Sequence, residues 1–97
     1  AELTPSPIVE LNRAVAVSMA YGPAIALELV DELRSEAVLK NYHLLPSVRG
    51  DLLMKLGRHS EAKQEFDQAA SLTRNARERE LLLSRSRKAA DGATREA

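Results

Sequence analysis

The chain has 97 residues, no net formal charge and no cysteine, and its 44% hydrophobic side chains include only three aromatics, Tyr21, Tyr42 and Phe66. Lack of cysteine excludes a disulfide framework and thiolate chemistry and fits a reducing compartment. No apolar run reaches the roughly 18 residues of a spanning helix and no charged n-region precedes an apolar h-region, so no membrane span or export signal is read and the cytoplasm is the expected location.

One domain of this length buries about 60 to 65% of the surface its unfolded chain exposes. Leu, Ala and Val dominate its apolar content, which suits helix packing better than a β-sandwich, so the expected class is all-α. Charge is uneven along the chain: residues 1–40 carry six acids against three bases, and 41–97 carry eleven bases against eight acids. The chain opens on Ala1 without a methionine and its first helix signal comes at once, which reads as a piece of a longer protein.

In chain order, Ser6 is a candidate N-cap and Pro7 suits a first helical position, where its missing N–H has no intrahelical partner to lose. A first helix over 8–20 follows. Ile8, Val9, Leu11, Val15, Val17 and Met19 make it apolar on almost every side, as expected of a helix buried from more than one direction. Gly22-Pro23 ends it and starts a second helix, with Ile25, Leu29, Val30 and Leu33 inward and Glu28, Asp31 and Glu32 outward. A polar link over 34–40 carries one helical turn around 36–39. A third helix over 41–56 has Leu45, Val48, Leu52 and Leu56 as its core stripe. Pro46 is compatible with it only inside the first turn, which places the start near Tyr42 or His43 and leaves a later start open. Gly57 ends it, and a fourth helix from His59 or Ser60 to Leu72 buries Ala62, Phe66, Ala69 and Leu72. Asn75 with Glu78 forms a capping-box pattern opening a fifth, solvating helix anchored by Leu82 and Leu83. The ordered domain is expected over 1–90, with 91–97 a flexible tail.

Gly22 and Gly57 lie thirty-five residues apart, each between helix-length apolar stretches, the period of stacked helical hairpins. From Gly50 the spacing runs seven residues to Gly57, five to Ala62, four to Phe66 and three to Ala69, which matches a tetratricopeptide repeat. Small residues at those positions let two helices approach, and the aromatic fills the facing groove. Arg74-Asn75 replaces the proline usual after the second helix, and Pro46 takes the place of the usual early tryptophan. The expected architecture is a right-handed array of two antiparallel hairpins closed by a capping helix.

A longer series of short motifs runs through the chain: Pro5-Ser6-Pro7, Leu11-Asn12-Arg13-Ala14-Val15-Ala16, Gly22-Pro23, Tyr42-His43, Asp51-Leu52-Leu53, Leu56-Gly57-Arg58, Glu61-Ala62, Leu72-Thr73, Asn75 and Glu78-Arg79. In that order it resembles the C-terminal tetratricopeptide-like extension of a group of bacterial extracytoplasmic-function RNA polymerase sigma factors. The resemblance covers about residues 5–87, with Pro46 and Gly50 standing where such extensions often have alanines. It implies that the whole protein carries, upstream of Ala1, two sigma regions that bind core polymerase and promoter DNA. This segment would then regulate transcription initiation by contacting those sigma regions, the polymerase core or a separate signalling protein. A generic peptide-binding or partner-binding scaffold is the alternative.

The second apolar face of the first helix has too little local sequence to cover it. Ile8, Val9, Leu11 and Ala16 are therefore expected in a contact with the preceding regions, and a homodimer of isolated domains through the same face stays open. Asn12 and Arg13 either grip a peptide carboxylate or backbone, or make a structural bond, Arg13 to Asp51 or a helix end. Tyr42 and His43 either line a concave surface or cap and pack the preceding link, and His59 is expected to be solvated. Arg74, Arg77, Arg79, Arg85, Arg87 and Lys88 against Glu78 and Glu80 make the last helix basic, so accessory nucleic-acid contact is a rival reading. Zero net charge and the lack of interleaved aromatics weigh against it. No histidine or carboxylate spacing suits a metal, and neither a nucleophile elbow nor a phosphate loop is present, so no metal, cofactor or catalysis is expected.

Overall fold

The computed structural model describes residues 7–96, and the candidate cap Ser6 lies outside them. The class is all-α. Five helices follow one another, α1 (Pro7–Tyr21), α2 (Pro23–Leu33), α3 (Leu44–Lys55), α4 (His59–Leu72) and α5 (Ala76–Glu96), with a 3-10 turn over Ala37–Leu39 and no strand among the described residues. The two glycine turns work differently. Gly22 alone separates α1 from α2, at φ 98°, and Pro23 then occupies the first position of α2. Gly57, at φ 76°, closes α3: the Gly57 N–H donates to the Met54 carbonyl at 3.1 Å and the Arg58 N–H to the Leu53 carbonyl at 2.9 Å. This paired closure satisfies carbonyls the helix end would leave open and requires a left-handed residue, which glycine adopts without a Cβ penalty.

Each helix packs on its successor, α1 on α2, α2 on α3, α3 on α4 and α4 on α5, while α1 touches α3 only at its edge. The result is elongated, 49 × 31 × 20 Å, with a radius of gyration of 13.6 Å, against about 12.5 Å for a round domain of this length. Leu11, Val30, Leu39, Leu53, Phe66 and Leu82 are the largest fully buried side chains, so every helix contributes to one continuous core. Phe66 sits against Gly50: a Cβ built on that glycine would lie 2.7 Å from the ring. The bare backbone of α3 is therefore what admits a ring whose burial stabilises the fold by about 2 to 3 kcal/mol.

Polar side chains fix the helices relative to one another. Arg49 on α3 donates to Asp31 on α2 at 2.8 Å and to Glu65 on α4 at 2.7 Å, spanning three helices. Burial works against its charge, but the two hydrogen bonds outweigh it and raise the guanidinium pKa. Asp67 on α4 accepts from the Ser86 hydroxyl on α5 at 2.5 Å and from Lys63 at 2.7 Å. At the α4–α5 corner, Asn75 caps α5 by accepting from the Glu78 N–H at 3.0 Å. The Glu78 carboxylate does not return to Asn75 as a full capping box would. It pairs with His43 at the start of α3, and the Asn75 N–H donates instead to the Thr73 hydroxyl.

Several sequence expectations need adjusting. α3 takes the later start that the sequence left open, at Leu44, with Pro46 as its third residue, inside the first turn where its missing N–H breaks nothing. In α3, Leu53 is buried where Val48 and Leu56 of the expected stripe are only half-buried, and in α2 Ala26 and Leu27 replace the exposed Ile25. α5 does not stop at Ala90 but continues to Glu96. Gly92 explains the extension: it comes so close to the His59 ring that a Cβ would lie 2.7 Å away, so the end of α5 packs on the start of α4 and His59 is half-buried.

Candidate functional site

α1 divides into two faces. Leu11, Ala14 and Ser18 point into the protein and are buried. Ile8, Val9, Asn12, Val15, Ala16 and Met19 share the opposite arc and are exposed, Met19 by 83%. Asn12 is the only polar residue in that arc. Tyr21 and Ile25 extend exposed apolar surface to the α1–α2 turn, so of the seven large hydrophobics that stand exposed among the described residues, only Leu81 lies elsewhere. Clustering of this kind marks an interaction surface, whereas single exposed side chains need no explanation.

The exposed arc leads into a groove of about 200 Å³ between α1 and α3, lined by Val15, Ser18, Met19, Val48, Leu52 and, at the rim, Asp51 and Lys55. The Ser18 hydroxyl in its wall is buried without a hydrogen-bond partner, alone in this among the described buried side-chain polar atoms. A second groove of about 160 Å³ lies on the other side of Asp51, between α3 and α5, among Met54, Phe66, Arg85 and Lys88. Asp51 belongs to both. Burial pushes its pKa up, and the Arg85 and Lys55 charges only partly offset this. Arg85 approaches Asp51 to 3.7 Å. Lys55 and Arg85 thus flank a single carboxylate, and Lys88 lines the second groove beyond it.

The residues singled out by sequence divide accordingly. Ile8, Val9 and Ala16 lie on the exposed arc, but Leu11, expected beside them, is 1% exposed and belongs to the core. Its position turns it toward Ala14 and Ser18, on the inner side of the helix. Asn12 and Arg13 are exposed; Arg13 lies 3.7 Å from Glu10 one turn earlier and does not pair with Asp51. Tyr42 and His43 pack ring edge to face at a centroid distance of 5.7 Å, half-buried, and His43 is held by Glu78. The arrangement is that of a packed helix start.

The basic set is not one face either. Arg79 donates to the Thr73 carbonyl at 2.9 Å and to the Ala70 carbonyl at 3.4 Å, capping the end of α4, and Arg85 leans on Asp51. Arg74, Arg77, Arg87 and Lys88 remain exposed. Val15 and Met19 were legible as apolar residues of the first helix but not as contact residues, because only the burial of Leu11, Ala14 and Ser18 reveals which side of α1 is left over. Lys55 carried no sequence signal of its own. Among the described residues no cluster of histidine and carboxylate could hold a metal ion, and no helix is long and apolar enough to cross a membrane.

Fold and surface together define a small all-α domain with one exposed apolar helix face. No protein-family model matches the chain, and no solved structure matches it. Over 76 residues it is 49% identical to an uncharacterized protein of Rhizobium meliloti (strain 1021). The match takes in 78% of this chain but 18% of that protein, so the chain spans less than a fifth of the relative's length.

Proposed function

We propose that this segment is a protein-interaction module, the regulatory C-terminal extension of an extracytoplasmic-function sigma factor, built as a tetratricopeptide-like array. The observation that carries the interaction reading is the exposed α1 arc of Ile8, Val15, Ala16 and Met19, apolar surface that a helix at the end of an array leaves for a neighbour. The sigma-factor reading is supported by the ordered motif series from Pro5 to Arg79. A relative that holds the matching stretch as a minor part of a much longer chain is compatible with a module of a larger protein. The contact we assign to the Ile8, Val9 and Ala16 side of α1 is with the sigma regions of the same polypeptide, close to the polymerase core. Cytoplasmic location follows from that role.

The test uses the full-length polypeptide encoding the segment and a reporter driven by its target promoter. Ile8→Glu with Ala16→Glu places two carboxylates in the contact at a cost of at least about 1 kcal/mol, so promoter output should fall about fivefold or more with the domain still folded. Unchanged output, or an upstream sequence without a promoter-reading helix-turn-helix, would remove the sigma-factor reading and leave a generic scaffold. Direct DNA binding is the weaker reading, because capping of α4 by Arg79 and the approach of Arg85 to Asp51 draw two of the six bases away from a common face.

A further inference from the structure

The groove between α1 and α3 constrains what can sit in it. Its walls are apolar, Val15 and Met19 from α1 with Val48 and Leu52 from α3. Ile8, Asn12, Val15 and Met19 recur along α1 at i, i+4, i+7 and i+11, the row along which a second helix packs its own side chains. An extended peptide would bring backbone N–H and C=O groups into a groove whose walls offer them little besides the rim charges, the Ser18 hydroxyl being buried beneath the surface. A helix satisfies its own backbone and leaves none of those groups unpaired.

Charge narrows the choice further. The rim itself carries Lys55 and Asp51; Arg85, in the neighbouring groove, lies 3.7 Å from that carboxylate, so Lys55 on the rim and Lys88 beyond Asp51 are left as the cations nearest the groove. A second copy of α1 would not match it, because its one acid, Glu10, lies beside its own Arg13 at 3.7 Å. We infer that this groove takes an amphipathic helix of a partner protein, with its apolar stripe on Val15 and Met19 and an acidic flank over Lys55 and, beyond Asp51, Lys88. The inference rests on the interaction-module reading and not on the sigma-factor assignment.

The probe is a labelled synthetic helix of about 18 residues with leucines along one stripe and glutamates on one flank, titrated with the intact chain by fluorescence anisotropy. A counterpart with lysines in place of the glutamates should bind at least about tenfold more weakly, with the gap narrowing as salt rises. Met19→Glu, at a site too exposed to disturb folding, should weaken the acidic probe about tenfold, and Lys55→Glu should lessen the preference for it. Equal affinity for both probes, indifference to Met19→Glu, or no binding of either would overturn the inference. Sedimentation of the free chain as a dimer that Met19→Glu dissociates would assign the face to a second copy instead. A chain that alters promoter output yet ignores the acidic helix fails here and leaves the proposed function standing; the reverse result separates them the other way.

Discussion

At Gly50 one added methyl group would meet the Phe66 ring at 2.7 Å. Ala is the better helix former by about 1 kcal/mol, but forcing a methyl into a fully buried contact costs about 1 to 3 kcal/mol. Gly50→Ala should therefore destabilise the domain by up to about 2 kcal/mol in urea unfolding, and pairing it with Phe66→Leu should recover about 1 kcal/mol of the summed losses. A stabilised Gly50→Ala variant would mean that the ring moves aside at no cost. Two aspartates act in opposite directions with pH. For Asp67 burial raises the pKa, yet the bonds from Lys63 and Ser86 together bring it below the ordinary 3.8. Its stabilisation is complete above that value and is lost as pH falls through the folded pKa. Asp51 is raised by burial, so the folded state holds its proton more tightly and stability declines as pH rises through its folded pKa. Asp67→Asn should flatten the acid limb of the stability profile, and Asp51→Asn should remove the opposing trend; urea midpoints from about pH 2 to 7 read both. Neither carboxylate's environment was legible in sequence, since Ser86 and Arg85 reach them from a helix eighteen or more positions away.

At the scale of the helices, local chemistry set the boundaries. Glycine at a left-handed position, proline in a first turn and Asn75 as a cap act within a few residues, so Gly22, Gly57 and the start of α5 could be placed from the chain alone. Helix orientation was harder. In α2 both Ile25 and Leu27 fit an amphipathic pattern, and only the seating of α2 on α1 and α3 buries Leu27 and exposes Ile25. The Arg49 triad was invisible for a related reason: Asp31, Arg49 and Glu65 lie on three helices and share no local motif. The Arg49 side chain is 11% exposed and that of Glu65 14%, so removing one partner strands a half-buried charge. Arg49→Met should cost about 2 to 3 kcal/mol, below the range for fully buried pairs because Asp31 is partly solvated. Adding Asp31→Asn and Glu65→Gln to that variant should return part of the loss; a triple variant no more stable than Arg49→Met would show that packing of the Arg49 stem, not its charge, is what matters.

Over the whole molecule, stability should be graded from one end to the other. α3, α4 and α5 share the most extensive packing and the ties through Asp67, Arg79 and Glu78, whereas α1 rests mainly on α2 and exposes its outer arc. Amides in α1 should exchange with solvent about tenfold or more faster than those in α3 and α4, and an occupant of the α1–α3 groove should slow them. Uniform protection along the chain would mean a single cooperative unit. The amino-acid sequence by itself determined the helical class, the number of helices and most of their ends, because capping, turn geometry and 3.6-residue periodicity act over distances shorter than one helix. Which side of α1 remained outside, that Leu11 belonged to the core, that Arg79 and Arg85 left the basic set, and that Lys55 and Arg85 flanked Asp51 were decided by tertiary structure. Those properties depend on which residues distant in the chain come within a few ångströms of each other, and no local pattern encodes that.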